Sequence, residues 1–382
     1  MYYDLMHKDD KVGIIDIDDD FKLPRSFTPI NPELVPLRAE KSKDDFRSWF
    51  EERAIPKSRL DLDSFLFERN IRNTSEYLVD NLALSLSDCY WIRPSESHIS
   101  WGDVNLYDND FLIIKNHQGI NSTFSPDAST GGDLPKWWTV IDNRRFLVKS
   151  NSGGNYQQSF NEVFASCLHK KQTEARYAEY TFEHLSDGRY GCKVEAFTNQ
   201  RLEFISAWDI VHSNDYKEKE YTRTGFVDCL ESKGMDRNEV NRFMDYMALT
   251  DFLIGNVDRH LNNFGVLRNT ESLEFVTMAP LFDFGNSMGF GQAEIDNGIL
   301  LFGKIKGFNS TYKKSISNVL DFSLVEVEQL PERETVESFY EDSRMSEKDI
   351  KRLGIFFEER KSILMQLIEG KSFFEATQRF KR

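Results

Sequence analysis

Three side chains suited to phosphoryl transfer lie in the second half of the chain: Asp258, Asn263 and Asp283. This reaction needs a carboxylate beside the accepting hydroxyl, and an amide oxygen and a second carboxylate that hold Mg²⁺ against the phosphates. Asp258 and Asn263 are five positions apart, and Asp283 begins an Asp-Phe-Gly sequence. Each motif is preceded by an apolar stretch that can anchor it. We therefore expect Asp258 to be the catalytic base and Asn263 and Asp283 to bind Mg²⁺.

A glycine-bearing stretch upstream supplies a candidate phosphate loop. Residues 125–136 are small and polar and lead directly into a β-prone segment. Glycine lets backbone N–H groups approach phosphate oxygens without an intervening Cβ. We therefore expect Gly131 and Gly132, with the adjoining Ser129 and Thr130, to bind the nucleotide. An ordinary surface loop is the alternative for this composition taken alone.

A lysine-bearing hairpin is predicted directly after this loop. Residues 137–141 and 145–149 have strand composition and flank a turn at residues 142–144. Lys149 ends the second strand, where its ammonium could reach nucleotide phosphates. A kinase lysine needs an orienting carboxylate from a helix, and Glu162 lies beside the apolar face of a helix predicted near residues 160–168. The alternative for Glu162 is a surface carboxylate near a helix N-terminus, where the helix dipole favours it.

The order of residues in the first motif resembles that of atypical kinases. Common protein kinases place a histidine two residues before the catalytic aspartate, whereas here His260 comes two residues after Asp258. This order resembles the phosphoinositide 3/4-kinase-related enzymes and, more closely, the HipA-type bacterial serine/threonine kinases. The HipA-like pattern includes residues 253–256 and Phe264. The resemblance implies that His260 belongs to the catalytic set; the alternative is a solvated turn that His260 caps.

The resemblance also implies residues around the nucleotide. HipA-like kinases show a similar Asn-Glu pair at Glu162, which favours its pairing with Lys149. The strand predicted over residues 190–197 falls where a two-lobed kinase has the hinge between its lobes. The HipA-type Glu-x-Phe hinge points to the main chain of Glu195 and Phe197 as the adenine contacts.

A regulatory serine is implied in the same way. HipA-type kinases carry a serine in a similar Ser-x-x-Gly-x-x-x-Lys stretch, and its autophosphorylation ejects the loop. Ser129 matches that serine, and Thr130 is the adjacent alternative acceptor. A phosphate there would repel the nucleotide phosphates. The alternative is a turn residue that only makes local hydrogen bonds.

These parts predict an α+β fold with the two lobes of a protein kinase and an accessory N-terminal part. We expect an accessory subdomain (residues 1–120), a small lobe with phosphate loop and hinge (121–200) and a helical lobe (201–382). Residues 240–254 have the apolar period of a helix that runs into the first motif. The glycine-rich stretch 286–297 is predicted to be the mobile counterpart of an activation segment, although no Ala-Pro-Glu follows it.

The accessory part shows local structure but no recognisable chemistry. Residues 12–17 predict a strand, and helices are predicted around residues 46–50 and 75–86. Arg53, Lys57 and Arg59 form a small basic cluster. This cluster could contact a phosphate; a solvated loop with ordinary ion pairs is the alternative.

Composition excludes several functional classes. The 382 residues include 63 acidic and 48 basic side chains, and a net charge of −15 repels nucleic acid and anionic membranes unless a basic patch intervenes. Beyond the short tail at residues 379–382 we find no such patch. The four cysteines and seven histidines are scattered, which argues against zinc and disulfides. No apolar run approaches the roughly 18 residues of a membrane span, and no signal-peptide core is present, so we expect a cytoplasmic protein.

The sequence therefore predicts an ATP- and Mg²⁺-dependent serine/threonine protein kinase of HipA type. Some relatives are toxins restrained by a small DNA-binding antitoxin, which here would have to be a separate polypeptide. The protein substrate does not follow from the sequence. A lipid or small-molecule kinase would share the first motif but should show a basic face. A non-catalytic nucleotide-binding regulator would be expected to have lost a metal ligand or the lysine.

Overall fold

The computed structural model describes residues 1–40, 42–111, 124–186 and 188–380, without the side chain of Lys43. The expected border between residues 120 and 121 and the last two residues of the basic tail lie outside these ranges. In the described ranges the strands are β1 (Tyr2–His7), β2 (Asp10–Ile17), β3 (Pro24–Pro29), β4 (Tyr90–Pro94), β5 (Lys136–Ile141), β6 (Arg144–Lys149), β7 (Tyr180–His184), β8 (Tyr190–Glu195), β9 (Leu202–Ser206), β10 (Gly265–Asn269) and β11 (Phe275–Met278).

The two longest α-helices of the same ranges have 18 and 22 residues, and both lie after residue 236. The α-helices are α1 (Lys43–Arg53), α2 (Leu62–Arg69), α3 (Thr74–Asp80), α4 (Trp101–Val104), α5 (Gln157–His169), α6 (Ala207–Val211), α7 (Arg223–Ser232), α8 (Arg237–Ile254), α9 (Asn297–Leu300), α10 (Tyr312–Ser317), α11 (Arg333–Phe339), α12 (Glu347–Ile368) and α13 (Phe373–Ala376). None of them is long and apolar enough to cross a membrane.

The N-terminal part is built around an antiparallel sheet of order β3-β2-β1-β4. The strand predicted over residues 12–17 lies within β2, and the helix predicted around residues 46–50 lies within α1; both are confirmed. Phe46 and Phe50, four positions apart, are buried against this sheet, as expected for one face of a helix. A separate apolar cluster therefore forms between residues 3 and 111.

The helix predicted over residues 75–86 is too long. In the structure α3 ends at Asp80, and Leu82 and Ala83 adopt left-handed backbone conformations with φ of 52° and 51°. The Ile92 amide donates to the Leu82 carbonyl, so the chain folds back against β4 instead of continuing the helix. The apolar residues here are core residues of a tight loop, which periodicity alone cannot distinguish from a helix.

The second sheet, β5-β6-β8-β7, and the third, β11-β10-β9, are consecutive along the chain. The predicted hairpin is confirmed: β5 pairs with β6, and Asp142 and Asn143 form its turn with φ of 49° and 61°, the conformation of a two-residue hairpin loop. Residues 196–201 link the last strand pair of the second sheet to β9 of the third. The chain thus crosses from one sheet to the other at the position expected for the hinge.

One apolar core joins α5 and the second sheet to the helical part of the chain. The predicted helix over residues 240–254 is confirmed within α8, which ends at Gly255. Gly255 has φ of 64°, and a Cβ there would collide with the buried ring of Phe356 in α12. Because α12 packs so closely, the end of α8 is fixed, and the chain that follows it starts from a rigid support.

Candidate active site

Lys149 lies at the centre of a buried ionic network. Its Nζ donates to Glu162 Oε1 at 2.8 Å, to Asp283 Oδ1 at 2.9 Å and to the Tyr180 hydroxyl at 3.2 Å. Burial alone would lower the pKa of Lys149, but the carboxylates of Asp283 and Glu162 raise it well above its ordinary value. The structure thus brings together three of the predicted site residues, with the lysine held as an ammonium ion.

Glu162 is positioned by the interior of α5. Its side chain is only 3% exposed, so the alternative of a surface carboxylate is wrong. Its second oxygen accepts a hydrogen bond from the Phe284 amide at 2.8 Å. The neighbouring Asn161 donates to the carbonyls of Gly285 and Ser287, both at 2.8 Å. One helix therefore orients the lysine and fixes the backbone of the Asp-Phe-Gly segment.

Asp283 is the partly exposed member of this buried network. Its backbone has φ of 63°, a conformation that costs free energy for a residue other than glycine and is typical of functional sites. Burial opposes ionisation of its carboxyl group, but the cations of Lys149 and Lys136 outweigh that effect and hold its pKa below the ordinary value. The side chain is 40% exposed. The ionised carboxylate of Asp283 is thus partly accessible to solvent.

Asp258 begins the loop that follows α8. Its amide donates to Asn256 Oδ1 at 3.0 Å, which orients the start of this loop. Its Oδ2 accepts from Asn286 Nδ2 at 2.6 Å, and Lys306 Nζ lies 2.6 Å from its Oδ1. Asn286 and Lys306 were not predicted as site residues. Both come from the chain after the Asp-Phe-Gly segment, and no local motif marks them.

Asn263 and His260 complete this loop. Asn263 Nδ2 donates to the Asp258 carbonyl at 3.0 Å, so its side-chain oxygen is left as the group that could bind a cation. The Asn262 amide donates to His260 Nδ1 at 3.3 Å, which assigns the ring proton of a neutral imidazole to Nε2. Burial lowers the pKa of His260, although Asp258 partly opposes this. His260 is therefore an uncharged donor next to the predicted base.

Arg259, which lies between Asp258 and His260, holds the loop to its surroundings. Its guanidinium makes a two-pronged ion pair with Asp251 of α8, with N–O distances of 2.9 Å. It also donates to the carbonyls of Asn263 and Phe282. The pair of Arg259 and Asp251 therefore connects α8, the Asp258 loop and the Asp-Phe-Gly segment. An aspartate in the apolar last turns of α8 was the available signal, since buried carboxylates are normally paired.

The predicted metal ligands have suitable chemistry. Asp283 offers a carboxylate and Asn263 an amide oxygen, and hard cations such as Mg²⁺ prefer oxygen ligands. No group of three or more His, Cys, Asp or Glu side chains in the described ranges could hold a metal ion alone. These two residues fit a magnesium ion that takes its remaining ligands from phosphate oxygens and water.

The predicted phosphate loop begins with a short 3-10 helix, Pro126–Ser129. The Ser129 hydroxyl donates to the Leu84 carbonyl at 2.7 Å, and the buried Thr130 hydroxyl donates to the Pro126 carbonyl at 2.9 Å. Gly131 and Gly132 are exposed. Neither hydroxyl is therefore free in this conformation, whereas the two glycines are accessible.

Lys136 adds a second cation beside this loop. A Cβ on Gly132 would collide with Lys136 Nζ, and Lys136 pairs with Lys149 across β5 and β6. Burial and the charge of Lys149 lower the pKa of Lys136 to about 8. Two ammonium groups that partly destabilise each other indicate a site where negative charge would be stabilised.

The three residues of the basic cluster have different environments in the structure. Arg53 pairs with Asp88, with an N–O distance of 2.6 Å, and Lys57 is exposed. Arg59 is buried and donates to main-chain carbonyls of the phosphate loop. The alternative of a solvated loop is thus wrong for Arg59.

The predicted hinge residues lie beside a cluster of aromatic rings. Glu195 ends β8, and its exposed side chain pairs with Arg144 at 3.0 Å. The Phe197 ring packs against Phe204 and Phe282 with centroid distances of 5.8 and 5.4 Å. These half-buried rings form an apolar surface between the hinge and the Asp-Phe-Gly segment.

Comparisons with known proteins identify a family and two similar structures. A family model described as the HipA-like C-terminal domain matches residues 128–342, and no curated protein matches the sequence significantly. The chain is similar in structure to HipA of the Shewanella oneidensis MR-1 toxin–antitoxin system, determined with HipB and operator DNA. The TM-score is 0.51 at 11% identity, covering 99% of this chain and 94% of that one. A Helicobacter pylori proinflammatory kinase, CtkA, matches with a TM-score of 0.44 at 16% identity, covering 65% of this chain and 95% of CtkA.

Proposed function

The chain belongs to the HipA-like C-terminal domain family and has the HipA-type kinase-like fold, and from this premise we propose that it is an ATP- and Mg²⁺-dependent serine/threonine protein kinase. The observation that carries the proposal is the contact of Lys149 with Glu162 and Asp283, at 2.8 and 2.9 Å. These three residues come from β6, α5 and the segment after β11. Phosphoryl transfer requires such a lysine, its orienting glutamate and a metal-binding aspartate together.

The other residues take roles that follow from their chemistry. Asp258 accepts the proton of the substrate hydroxyl while that oxygen bonds to the γ-phosphorus and the bond to ADP breaks. Lys149 and Lys136 stabilise negative charge on the phosphates. His260, uncharged and with its proton on Nε2, donates a hydrogen bond within the same cleft. Arg259 does not react; it keeps the Asp258 loop and the Asp-Phe-Gly segment at a fixed separation.

Mg²⁺ and ATP would be held by separate groups of residues. Asp283 and Asn263 would bind Mg²⁺, which neutralises charge on the transferred phosphoryl group. The main chain of Glu195 and Phe197 would contact the adenine edge, and the rings of Phe197 and Phe282 would cover one face of the base. Gly131 and Gly132 would present amides to the phosphates.

Regulation and partners are proposed from family membership. We propose Ser129, with Thr130 as the neighbouring acceptor, as a site of autophosphorylation. Because both hydroxyls donate to carbonyls, the loop has to leave its present position before either can react. HipA of S. oneidensis is described with HipB and operator DNA, and by analogy we propose a separate antitoxin as a partner and a toxin role for this chain.

The decisive experiment compares the wild-type chain with Asp258→Asn. Both are incubated with labelled ATP, Mg²⁺ and a lysate of the source cell, and the label is followed in protein and in lipid. We expect labelled serine or threonine with the wild type and a loss of about 10²–10⁴-fold in the variant, the usual contribution of a general base. ATP binding, measured by calorimetry, should persist.

Two results would contradict the proposal. Near-normal phosphorylation by a folded Asp258→Asn variant would remove Asp258 as the base. Label in lipid instead of protein would show a lipid kinase. Mass spectrometry of the wild-type chain after incubation with Mg·ATP tests the regulatory part separately, because absence of phosphate on Ser129 and Thr130 would leave the kinase assignment intact.

A further inference from the structure

The accessory N-terminal part holds the phosphate loop through a buried arginine. Arg59, between α1 and α2, donates from Nη2 to the Thr130 carbonyl and to the Gly131 carbonyl at 3.2 Å. Its Nε donates to the Gly132 carbonyl at 3.1 Å. Next to it, the Leu60 amide donates to the Asp133 carbonyl at 2.9 Å. Four consecutive carbonyls of the loop are therefore bound by two adjacent residues, Arg59 and Leu60, that lie more than seventy positions earlier in the sequence.

A buried guanidinium bound in this way is costly. Arg59 is 5% exposed, and burial lowers its pKa. In the described ranges it forms no ion pair with a carboxylate, and its partners are neutral carbonyls. Burying a cation without a paired anion opposes folding, so a neutral side chain would be expected here if the contact served packing alone.

The orientation of the carbonyls determines that of the amides. In a trans peptide group the C=O and N–H point in opposite directions. Since the carbonyls of residues 130–132 face Arg59, the amides of Gly131, Gly132 and Asp133 face away from it. None of these three amides donates to another residue in the described ranges. A Cβ built on Gly131 meets no atom within 4 Å, so the space in front of this peptide is open.

Two lysines lie beside this loop. Lys136 Nζ lies against Gly132, and Lys136 is the cross-strand neighbour of Lys149. Successive amides that point into a concave, positively charged space form an anion-binding nest. The contacts with Arg59 therefore leave three amides of the loop directed away from the guanidinium, in a loop that Lys136 contacts.

We propose that Arg59 is a positioning residue for the triphosphate of the nucleotide, and that the accessory N-terminal part is thereby a component of the ATP site. The inference rests on the proposed function, because it assumes that the loop binds ATP. Arg59 itself does not contact the phosphates; it acts through the peptide groups of residues 130–133. Docking of Ala128 into an apolar cluster with Ile55 and Tyr77 of the accessory part supports the same assembly from the other end of the loop.

The test compares ligands with and without phosphates. Binding of Mg·ATP and of adenosine is measured by calorimetry for the wild type, Arg59→Ala, Arg59→Lys and the control Arg47→Ala, which changes an exposed arginine on α1. We expect Arg59→Ala to weaken ATP binding about tenfold or more, as for the loss of charge-assisted hydrogen bonds. Adenosine binding should stay unchanged. Arg59→Lys should fall between, because an ammonium group cannot span three carbonyls as the planar guanidinium does.

The other possible outcomes overturn either this inference alone or the proposed function as well. Equal losses for ATP and adenosine would make Arg59 a general structural residue, and unchanged ATP binding would show that the loop does not depend on it; both overturn the inference. If Arg59→Ala does not fold, the same comparison is made with Arg59→Lys, which keeps the charge. A wild-type chain that binds no ATP would overturn the proposed function and this inference with it, whereas wild-type binding that Arg59 variants retain would overturn the inference alone.

Discussion

At the scale of single residues, Asp258 is distinguished by its two partners. Asn286 binds one carboxylate oxygen and Lys306 the other, each at 2.6 Å. Lys306 is 64% exposed, so its ion pair with Asp258 contributes little to stability, typically about 0–1 kcal/mol. The Lys306 amide nevertheless donates to the Val257 carbonyl at 2.9 Å, which fixes the backbone beside the proposed base. A cation held at that place can stabilise charge on the transferred phosphoryl group.

We expect Lys306→Ala to lower the turnover number about tenfold or more while changing ATP affinity little. The physical reason is the loss of a preorganised cation where negative charge develops in the transition state. Steady-state kinetics and calorimetry measure the two quantities, and the free energy of unfolding should change by no more than about 0.5 kcal/mol. Lys304→Ala is the control, because Lys304 is exposed two positions earlier in the same segment. Equal turnover for the two variants would exclude Lys306 from the reaction.

At the scale of elements, α5 holds most of the chain from Phe284 to Met288. Besides the contacts of Asn161 and Glu162, Gln157 donates to the Met288 carbonyl at 3.0 Å. At the other end of the helix, His169 packs against the Phe284 ring with a centroid distance of 5.0 Å. Its Nδ1 lies 2.7 Å from the Tyr246 hydroxyl of α8. The Asp-Phe-Gly segment is therefore held between two helices, and His169 is the ionisable group in that contact.

His169 should give the protein a defined loss of stability in acid. Burial, helped by the charge of Arg259, lowers its pKa to about 3 in the folded state, compared with about 6.5 in an unfolded chain. Above about pH 6.5 neither state binds the proton. As the pH falls from there toward about 3, only the unfolded state gains it, so this residue lowers the free energy of unfolding by about 1.4 kcal/mol per pH unit.

Denaturant unfolding of the wild type and His169→Gln between pH 7 and pH 4 measures this contribution. The variant should lose stability less steeply with decreasing pH, whatever its stability at pH 7. His98→Gln serves as the control, because His98 is exposed, and it should follow the wild-type slope. Parallel curves for the wild type and His169→Gln would mean that His169 is not buried in its neutral form.

At the scale of the whole molecule, a buried carboxylate joins the accessory part to the helical part. Glu203 of β9 is fully buried, lies 2.7 Å from Arg268 Nη2 and 3.3 Å from His7 Nε2, and accepts from the Cys89 amide at 3.2 Å. Burial opposes its ionisation, but Arg268 and His7 lower its pKa to about 2. This cluster thus fixes the accessory part relative to the third sheet, through β9 and β10.

We expect Glu203→Gln to lower the free energy of unfolding by about 3–5 kcal/mol, because it leaves the buried Arg268 without its counterion. Glu271→Gln is the matched control. Glu271 pairs with Lys8 at 3.7 Å between the same two parts of the chain, but it is 79% exposed, and an exposed pair is worth about 0–1 kcal/mol. Chemical denaturation measures both variants, and similar losses would refute a special role for the buried cluster.

The order of the proposed site residues along the chain could be predicted from the sequence, because phosphoryl transfer requires particular side chains at short spacings. The hairpin before Lys149, the helix bearing Glu162 and the helix before Asp258 all follow from turn chemistry and apolar period, and the structure contains each of them. The helix predicted over residues 75–86 is longer than the observed α3 for the opposite reason. Its apolar residues are buried by long-range contacts with β4, which a local pattern cannot reveal.

By itself, the sequence determined which residues could perform phosphoryl transfer and which elements carry them, since type, spacing and periodicity are local properties. Only the tertiary structure decided the partners: Asn286 and Lys306 at Asp258, and Arg59 at the phosphate loop. A charged side chain can be solvated, paired or buried against carbonyls, and its own neighbours in sequence do not distinguish these states. The choice depends on which distant groups remain unsatisfied when the lobes pack, because buried polar groups must find partners wherever the fold brings them.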